Sequence, residues 1–498
     1  MTLDPNECYR AICARDPRYD GRFFICVHTT GIFCRPICPA RTPLRKNVQF
    51  VETAEAALQL GFRACKRCRP EVKAGSAAWD LTAASIKRAL RMIDAGALDE
   101  QSIELFAGRL GIGARHLRRL VKSALGVAPN RLALARRAAF ARGLIEGSNL
   151  AMTEVAGASG FGSLRRFNDV VQKEFGASPT QLRANAGISS VSGAMTLTLK
   201  AKGTVDWPAL HAFYAARTIP GVEAAQDGRY TRVLRTGEGM ALLAIRHSSA
   251  NAVEVSLAGA NVGQLYAVTG RVRRALDLNT DVAAVTKALS ADKVLKRALG
   301  RADGLRLPGA WDPFELAVRA MLGQQISVKA ARTLAGRIAA KFGDALPAAL
   351  MGKGPTTAFP SAPELARLGT PDMTALGLTT ARAKALIGLA KAVASDPEIF
   401  APAQSLDALV ARLCALDGVG PWTAHYIALR AFGESDAFPA SDLGLRKAYG
   451  ALTGVLPTAQ ELERAAAKWS PWRGYAAQAL WAYLSEIETK EKGDGLAA

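Results

Sequence analysis

Two groups of residues in this chain of 498 have the types and spacing to do chemistry. The first is Cys34-Arg-Pro-Ile-Cys38, followed further on by Cys65-Lys-Arg-Cys68. A C-x3-C pair and a C-x2-C pair together supply four thiolates, the donor set of a tetrahedral zinc site. The second is Asp417-Gly418-Val419-Gly420-Pro421, with Asp442 further on in the loop Pro439-Ala440-Ser441-Asp442. Leu409, Leu413 and Leu416 recur at helical spacing before it. The two glycines permit positive φ, and Pro421 suits the first turn of a new helix, expected over about Trp422–Phe432. The N–H groups that open such a helix form a phosphate site whatever the base sequence. Taken alone, Gly-Val-Gly-Pro reads equally well as a turn between two core helices.

The rest of the chain must position these groups. Its length allows three or four domains, and 49% apolar residues suffice for packed cores. A formal charge of +21 favours a polyanionic partner, DNA or RNA before an acidic membrane surface. Apolar runs fall short of the roughly 18 residues of a membrane span. The opening MTLDPNECYRAICARD is polar and acidic early, unlike a secretory signal. A cytoplasmic, nucleoid-associated protein is therefore expected, in which thiols stay reduced. Its eight cysteines then need a reason other than disulfides. Cys8, Cys13 and Cys26 lack ligand spacing, and Cys26 lies in the strand-like Phe23–Val27, where core packing is expected.

Residues 15–23 (RDPRYDGRF), 29–38 (TTGIFCRPIC) and 61–70 (GFRACKRCRP) resemble the N-terminal domain of the Ada methylation-response family, across most of residues 8–72. The resemblance implies that Cys34 takes a methyl group from a DNA methylphosphotriester, with one Zn²⁺ held by Cys34, Cys38, Cys65 and Cys68. A zinc-held thiolate is nucleophilic at neutral pH. Methylation would reduce the formal charge of the centre from about −2 to about −1, so the site can switch DNA binding. Arg35, Arg41, Arg45, Lys66, Arg67 and Arg69 crowd the ligands and are candidate phosphate contacts. A purely structural zinc knuckle is the alternative.

After a linker at 71–79, the pattern is helical from Asp80 to about Ala184. Ile103–Leu110, a turn at 111–113 and Ala114–Leu125 have a helix-turn-helix rhythm. A second copy runs from Met152 through Ser159-Gly160-Phe161-Gly162 to Ser163–Phe175, and a long helix over about Asn130–Ile145 joins the two. This doubled unit resembles the AraC-type DNA-binding domain, most closely over 160–183. Arg115, His116, Arg118, Arg119, Ser163, Arg165 and Arg166 are the candidate DNA contacts.

A second linker at 187–193 precedes strand-like alternation in Met195–Lys200, Tyr230–Arg235, Met240–Arg246 and Ala252–Leu257, with a helix near Trp207–Ala216. Helices return from about Thr286. The stretch Leu413–Lys447 resembles the helix-hairpin-helix DNA glycosylases, most closely the AlkA-type 3-methyladenine DNA glycosylase II branch, whose small N-terminal domain matches 195–280 in position. The resemblance implies that Gly418 and Gly420 face DNA phosphate and that Asp442 is the catalytic carboxylate. It also implies that Trp422, Tyr426 and Trp472 line an aromatic base pocket. Gln325 aligns with the side chain that fills the gap left by a flipped nucleotide; a capped polar turn is the alternative there. Relatives that also cut the strand carry Lys where this chain has Trp422, so hydrolysis without a Schiff base is expected. The glycosylase chemistry needs no cofactor.

The expected fold is multidomain and mainly α. A small α/β zinc domain (1–75) precedes an AraC-type double helix-turn-helix (80–186), an α+β domain (194–285) and an all-α helix-hairpin-helix glycosylase domain (286–490). The expected function is DNA alkylation repair joined to transcriptional activation, with double-stranded DNA and RNA polymerase as partners and no membrane. A transcription factor with an inactive glycosylase-like half is the alternative. The chain departs from the Ada family in lacking the Pro-Cys-His-Arg type motif of that family's C-terminal O6-methylguanine methyltransferase domain, so the resemblance does not extend to O6-methylguanine repair.

Overall fold

The computed structural model describes residues 4–14, 19, 23–38, 40–65, 68, 70, 89, 93, 98, 102–110, 112–148, 150–184, 195–236, 239–261, 264–300, 304–352, 354–401 and 405–494. Both expected linkers, and Lys66, Arg67 and Arg69, lie outside the described residues. The chain divides into two compact units, Met1–Ala89 and Leu90–Ala498.

In the first unit, α1 (Pro5–Ala14) accompanies a sheet of β1 (Phe24–Val27), β2 (Ile32–Cys34), β3 (Val48–Val51) and β4 (Arg63–Ala64), with α2 (Ala54–Gln59) before β4. The strand order is β3-β1-β2-β4. The pair β2 and β4 is parallel, whereas β1 is antiparallel to both of its neighbours. Phe23, Cys26 and Phe33 are fully buried. Burial pushes the Cys26 thiol up to about 11, as suits a core residue.

The second unit begins with α3 (Ile103–Arg109) and α4 (Ala114–Leu125), then the long α5 (Pro129–Gly147), then α6 (Met152–Ala158), α7 (Leu164–Phe175) and α8 (Pro179–Ala184). Both helix-turn-helix pairs therefore form as the sequence predicts. Gly126 and Gly176 end α4 and α7 at φ 75° and 70°, a conformation that costs glycine little.

An antiparallel sheet follows, built from β5 (Met195–Lys200), β6 (Glu223–Gln226), β7 (Arg229–Thr236), β8 (Gly239–Ser249) and β9 (Ala252–Ala258). Its order, β5-β9-β8-β7-β6, leaves β5 at one edge. The sequence pattern missed β6, whose Glu-Ala-Ala-Gln lacks β-branched residues. Helices α9 (Trp207–Ala215) and α10 (Leu265–Ala275) share a hydrophobic core with this sheet, in which Trp207, Leu210, Val268 and Val272 join Leu197, Leu243 and Val255.

The site-bearing helices are α11 (Pro313–Leu322), α12 (Val328–Phe342), α13 (Thr380–Ser395), α14 (Leu406–Cys414), α15 (Pro421–Phe432), α16 (Leu443–Thr453) and α17 (Arg473–Asp494). They share one core that includes Val318, Met321, Leu386, Leu413, Ile427, Leu445 and Leu480. A buried ionic network joins the sheet to α11. Arg232 reaches Glu223 and Glu315 at 2.8 Å each, and Arg319 reaches Glu315 at 3.1 Å and Glu223 at 3.3 Å. Each buried charge has an opposite partner, the condition for keeping ions in a low-dielectric interior.

Candidate functional sites

Asp442 is the N-cap of α16, and its Oδ1 accepts from the Leu445 N–H at 3.0 Å. Two indoles complete its surroundings. Trp422 Nε1 donates to Oδ2 at 2.9 Å, and Trp481 Nε1 donates to Oδ1 at 2.9 Å. Trp422 comes from the first turn of α15 and Trp481 from the middle of α17, which packs along α16. The carboxylate is thus clamped from both sides while staying half-exposed. Gly444 makes room for the clamp: a Cβ there would stand 3.1 Å from Asp442 Oδ1 and 3.5 Å from Trp481 Cδ1.

The same indoles form an aromatic pocket wall. Trp422 and Tyr426 stack at 5.4 Å with ring planes 9° apart, and Trp481 meets Tyr426 edge-on at 6.3 Å. Beneath them Arg430 is buried, its guanidinium carbon 5.1 Å from the Trp481 ring, 5.7 Å from Tyr426 and 4.9 Å from Phe213 of α9. It donates to Pro308 O and to Gln478 Oε1, both at 2.9 Å. Burial acts to raise the Tyr426 phenol, but Arg430, Arg217 and Arg319 outweigh it and hold the group below its ordinary value.

Trp472 does not belong to this wall. It packs edge-on against Tyr475 at 5.7 Å, and Tyr475 is tied to Asp277 at 2.8 Å. Trp472 faces a separate surface cavity of about 490 Å³, shared with Asp292, Lys468 and Trp469. The third aromatic at the carboxylate is Trp481, which the sequence reading missed. Within an apolar helix a Trp reads as core, and only the packing of α17 on α16 shows where its N–H points.

The hairpin forms between α14 and α15. Gly418 adopts φ 79°, and a Cβ there would meet Ala385 Cβ and Met321 Cε at 3.0 Å each. Gly420 differs from expectation: its φ is −84°, and nothing lies within 4 Å of a Cβ added there. Conformation therefore requires glycine at 418 alone, while Gly420 keeps the approach to the α15 amides open.

Gln325 stands exposed in the turn between α11 and α12 at φ 60°, rare for a residue with a side chain. Gln324 fixes this turn to the hairpin, since its Nε2 donates to Gly418 O at 2.9 Å and to Thr423 Oγ1 at 3.0 Å. Arg382 of α13 donates to Gln324 O at 2.7 Å. His425 supports the loop before Asp442: the Phe438 N–H donates to its Nδ1 at 3.3 Å.

In the first unit the sulfurs of Cys34, Cys38, Cys65 and Cys68 all lie within 4.8 Å of one another. Parallel pairing of β2 with β4 sets Cys34 beside Cys65, whose N–H donates to Phe33 O at 3.0 Å. Zn–S bonds of about 2.3 Å place tetrahedral sulfurs about 3.8 Å apart, and Cys38 and Cys65 stand at 4.0 Å. The donor set fits zinc. Cys34 and Cys38 are half-exposed, whereas Cys65 and Cys68 are buried.

Arg35 corrects the sequence reading. It is 2% exposed, its N–H donates to Cys68 Sγ at 3.3 Å, and its guanidinium donates to Cys68 O at 3.4 Å. It braces the cysteine cluster and does not face a DNA backbone. Arg45 lies over the Tyr9 and Phe50 rings at 5.8 and 5.4 Å, and Arg41 is exposed. Arg67 lies outside the described residues.

On the helix-turn-helix pairs, Arg115, Arg118, Arg119, Ser163, Arg165 and Arg166 are exposed. Ser163 also caps α7 by accepting from the Arg166 N–H at 3.3 Å. Arg118 pairs with Glu104 at 3.3 Å, and Arg119 bonds the His116 ring at 3.1 Å. Burial and the Arg119 charge hold His116 below its ordinary value.

Comparison with known proteins agrees with this layout. Residues 7–71 match the metal binding domain of Ada, 106–185 a helix-turn-helix domain and 196–312 the AlkA N-terminal domain. Residues 318–472 match the HhH-GPD superfamily of base excision DNA repair proteins. A probable bifunctional transcriptional activator/DNA repair enzyme AlkA of Mycobacterium tuberculosis is 40% identical over 97% of this chain and 97% of its own. DNA-3-methyladenine glycosylase 2 of Escherichia coli is 31% identical over 57% of this chain and 96% of its own. The solved 3-methyladenine DNA glycosylase from Archaeoglobus fulgidus, 22% identical, shares the fold with a TM-score of 0.53 over 58% of this chain and 98% of that one. Among the described residues, no helix is long and apolar enough to cross a membrane.

Proposed function

This chain belongs to the family of bifunctional transcriptional activator/DNA repair enzymes typified by AlkA, and we propose that its C-terminal half excises alkylated bases such as 3-methyladenine from double-stranded DNA. The observation that carries this reading is the carboxylate of Asp442, clamped by Trp422 and Trp481 at the edge of their aromatic wall. A cationic alkylated base stacks well on electron-rich rings and leaves readily. The nucleotide must first turn out of the helix. The α15 amides hold the phosphate backbone, and Gln325 fills the vacated stack. Asp442 then faces the cation that develops on the sugar as the N-glycosidic bond lengthens, and water completes the hydrolysis. With Trp422 where an amine would be needed, the strand is left intact.

In the N-terminal unit, Cys34, Cys38, Cys65 and Cys68 hold one Zn²⁺, which when bound keeps its sulfur ligands as thiolates at neutral pH. Cys34, one of two half-exposed ligands and the one at the acceptor position that the Ada resemblance implies, attacks the methyl carbon of a methylphosphotriester. A C–S bond forms, the C–O bond breaks, and the phosphodiester leaves with the electron pair. The helix-turn-helix pairs read promoter DNA and bring the protein to RNA polymerase.

Incubation with methylated duplex DNA tests both activities. Release of 3-methyladenine and a mass gain of one methyl on the Cys34 peptide are expected. A folded protein that releases no base would remove the glycosylase reading, and an unmodified Cys34 would leave the zinc structural.

A further inference from the structure

The helix-turn-helix domain does not hang on a tether beside the glycosylase. Ala141, Leu144 and Ile145 of α5, with Val155, Phe161 and Phe167 behind them, belong to the same hydrophobic core as Leu197 and Leu199 of β5 and Val268 of α10. Leu144 and Ile145 are fully buried. Phe140 of α5 meets Tyr266 of α10 edge-on, with centroids 5.0 Å apart and planes at 86°. Gly147, the last residue of α5, lies against the backbone of the edge strand: a Cβ there would stand 3.4 Å from Thr198 N and 3.6 Å from Leu197 Cα. Burial holds the Arg136 guanidinium, one turn before Phe140, down to about 10, with Tyr266 opposing the shift. An apolar interface is one of the conditions that stop domains of one chain from moving independently, and this contact is apolar.

The docked face of α5 is not the face that reads DNA. Arg115, Arg118 and Arg119 on α4, and Arg165 and Arg166 on α7, remain exposed. So does Gln325 in the glycosylase, and the approach to Gly420 is open. We infer that the helix-turn-helix domain, docked through α5 onto β5 and α10, serves the glycosylase as a fixed second grip on the same DNA duplex, in addition to any operator it reads. This rests on the glycosylase reading above. Exposed arginines add sequence-independent affinity through counterion release. A fixed grip turns the second contact into an intramolecular event and avoids the dilution of a flexible tether.

The test uses the full-length zinc protein and methylated duplexes of about two and about six helical turns. Base release at low enzyme concentration is compared for wild type, a grip variant (R115A, R119A, R165A and R166A together) and an undocked variant, Phe140→Asp with Gly147→Trp. The wild type is expected to favour the long duplex by about tenfold. Both variants are expected to lose that preference and match wild type on the short duplex. A wild type indifferent to length, or an undocked variant that keeps the preference, would overturn the inference. Should the undocked variant not fold, a protease site replacing residues 187–192 gives the same decision. Cut wild-type halves that travel together on gel filtration support docking, and halves that separate overturn it. Failure of the wild type to release base from the short duplex would instead count against the glycosylase itself.

Discussion

Trp481 Nε1, from α17, lies 2.9 Å from Oδ1 of Asp442, the N-cap of α16. With Trp422 on the other oxygen at 2.9 Å, both carboxylate oxygens are held by indole N–H groups. A hydrogen bond to a charged group is worth about 1.5–3 kcal/mol. Trp481→Phe keeps most of the ring and removes the donor. Base release should fall by about ten- to a hundredfold with little change in duplex affinity. Trp472→Phe should change it by less than about threefold, because that ring lies elsewhere. Single-turnover excision assays on both variants separate the two tryptophans.

The hairpin glycines should behave differently from each other. Ala at 418 must adopt φ 79° and meets Ala385 and Met321 at 3.0 Å, so Gly418→Ala should lower stability by about 1–3 kcal/mol. Gly420→Ala has open space and ordinary φ, so melting should be unchanged while duplex affinity falls as the methyl blocks the amides. Thermal unfolding and duplex titration of each variant check the pair.

Gln324 and Gln325 are neighbours with separate tasks. Gln324→Ala removes both bonds to the hairpin and should cost excision about tenfold. Gln325→Ala should reduce excision from duplex DNA far more than from a lesion placed opposite a gap, where no stack needs filling. Rates on the two substrates give the readout.

The pH dependence of stability should carry a signature of His425. Burial, with help from Arg473, holds its pKa below the unfolded value, and the neutral ring accepts from the Phe438 N–H. The unfolded chain therefore binds more protons just below the ordinary histidine pKa. This contribution to stability is complete above about pH 6.5 and is lost as pH falls towards the folded pKa. His425→Asn offers a non-titrating acceptor, so the fall in melting temperature between about pH 7 and pH 5.5 should be smaller in the variant than in wild type. Equal slopes would exclude His425 as the source.

How much of this was legible in the sequence depended on whether the signal was local. The cysteine quartet, the doubled helix-turn-helix and the hairpin each lie in short strings with turn residues at fixed offsets, and all three formed, although within the hairpin Gly420 takes an ordinary φ. Alternation made β5, β7, β8 and β9 legible, and the apolar run Phe23–Val27 gave β1; the short β2, β3 and β4 of the first unit were not read, nor was β6, which pairing with β7 creates. Trp481 and Gln324 were not legible, because each is defined by a partner from another helix. Arg35 misled for the same reason: beside two cysteines a basic residue looks like a DNA contact until its burial is known.

The measurement that bears most directly on the central claim compares wild type with Asp442→Asn on methylated duplex DNA. The account predicts release of 3-methyladenine by wild type, and loss of at least about a hundredfold in the variant with duplex affinity retained. A variant that binds and excises at the wild-type rate would contradict it.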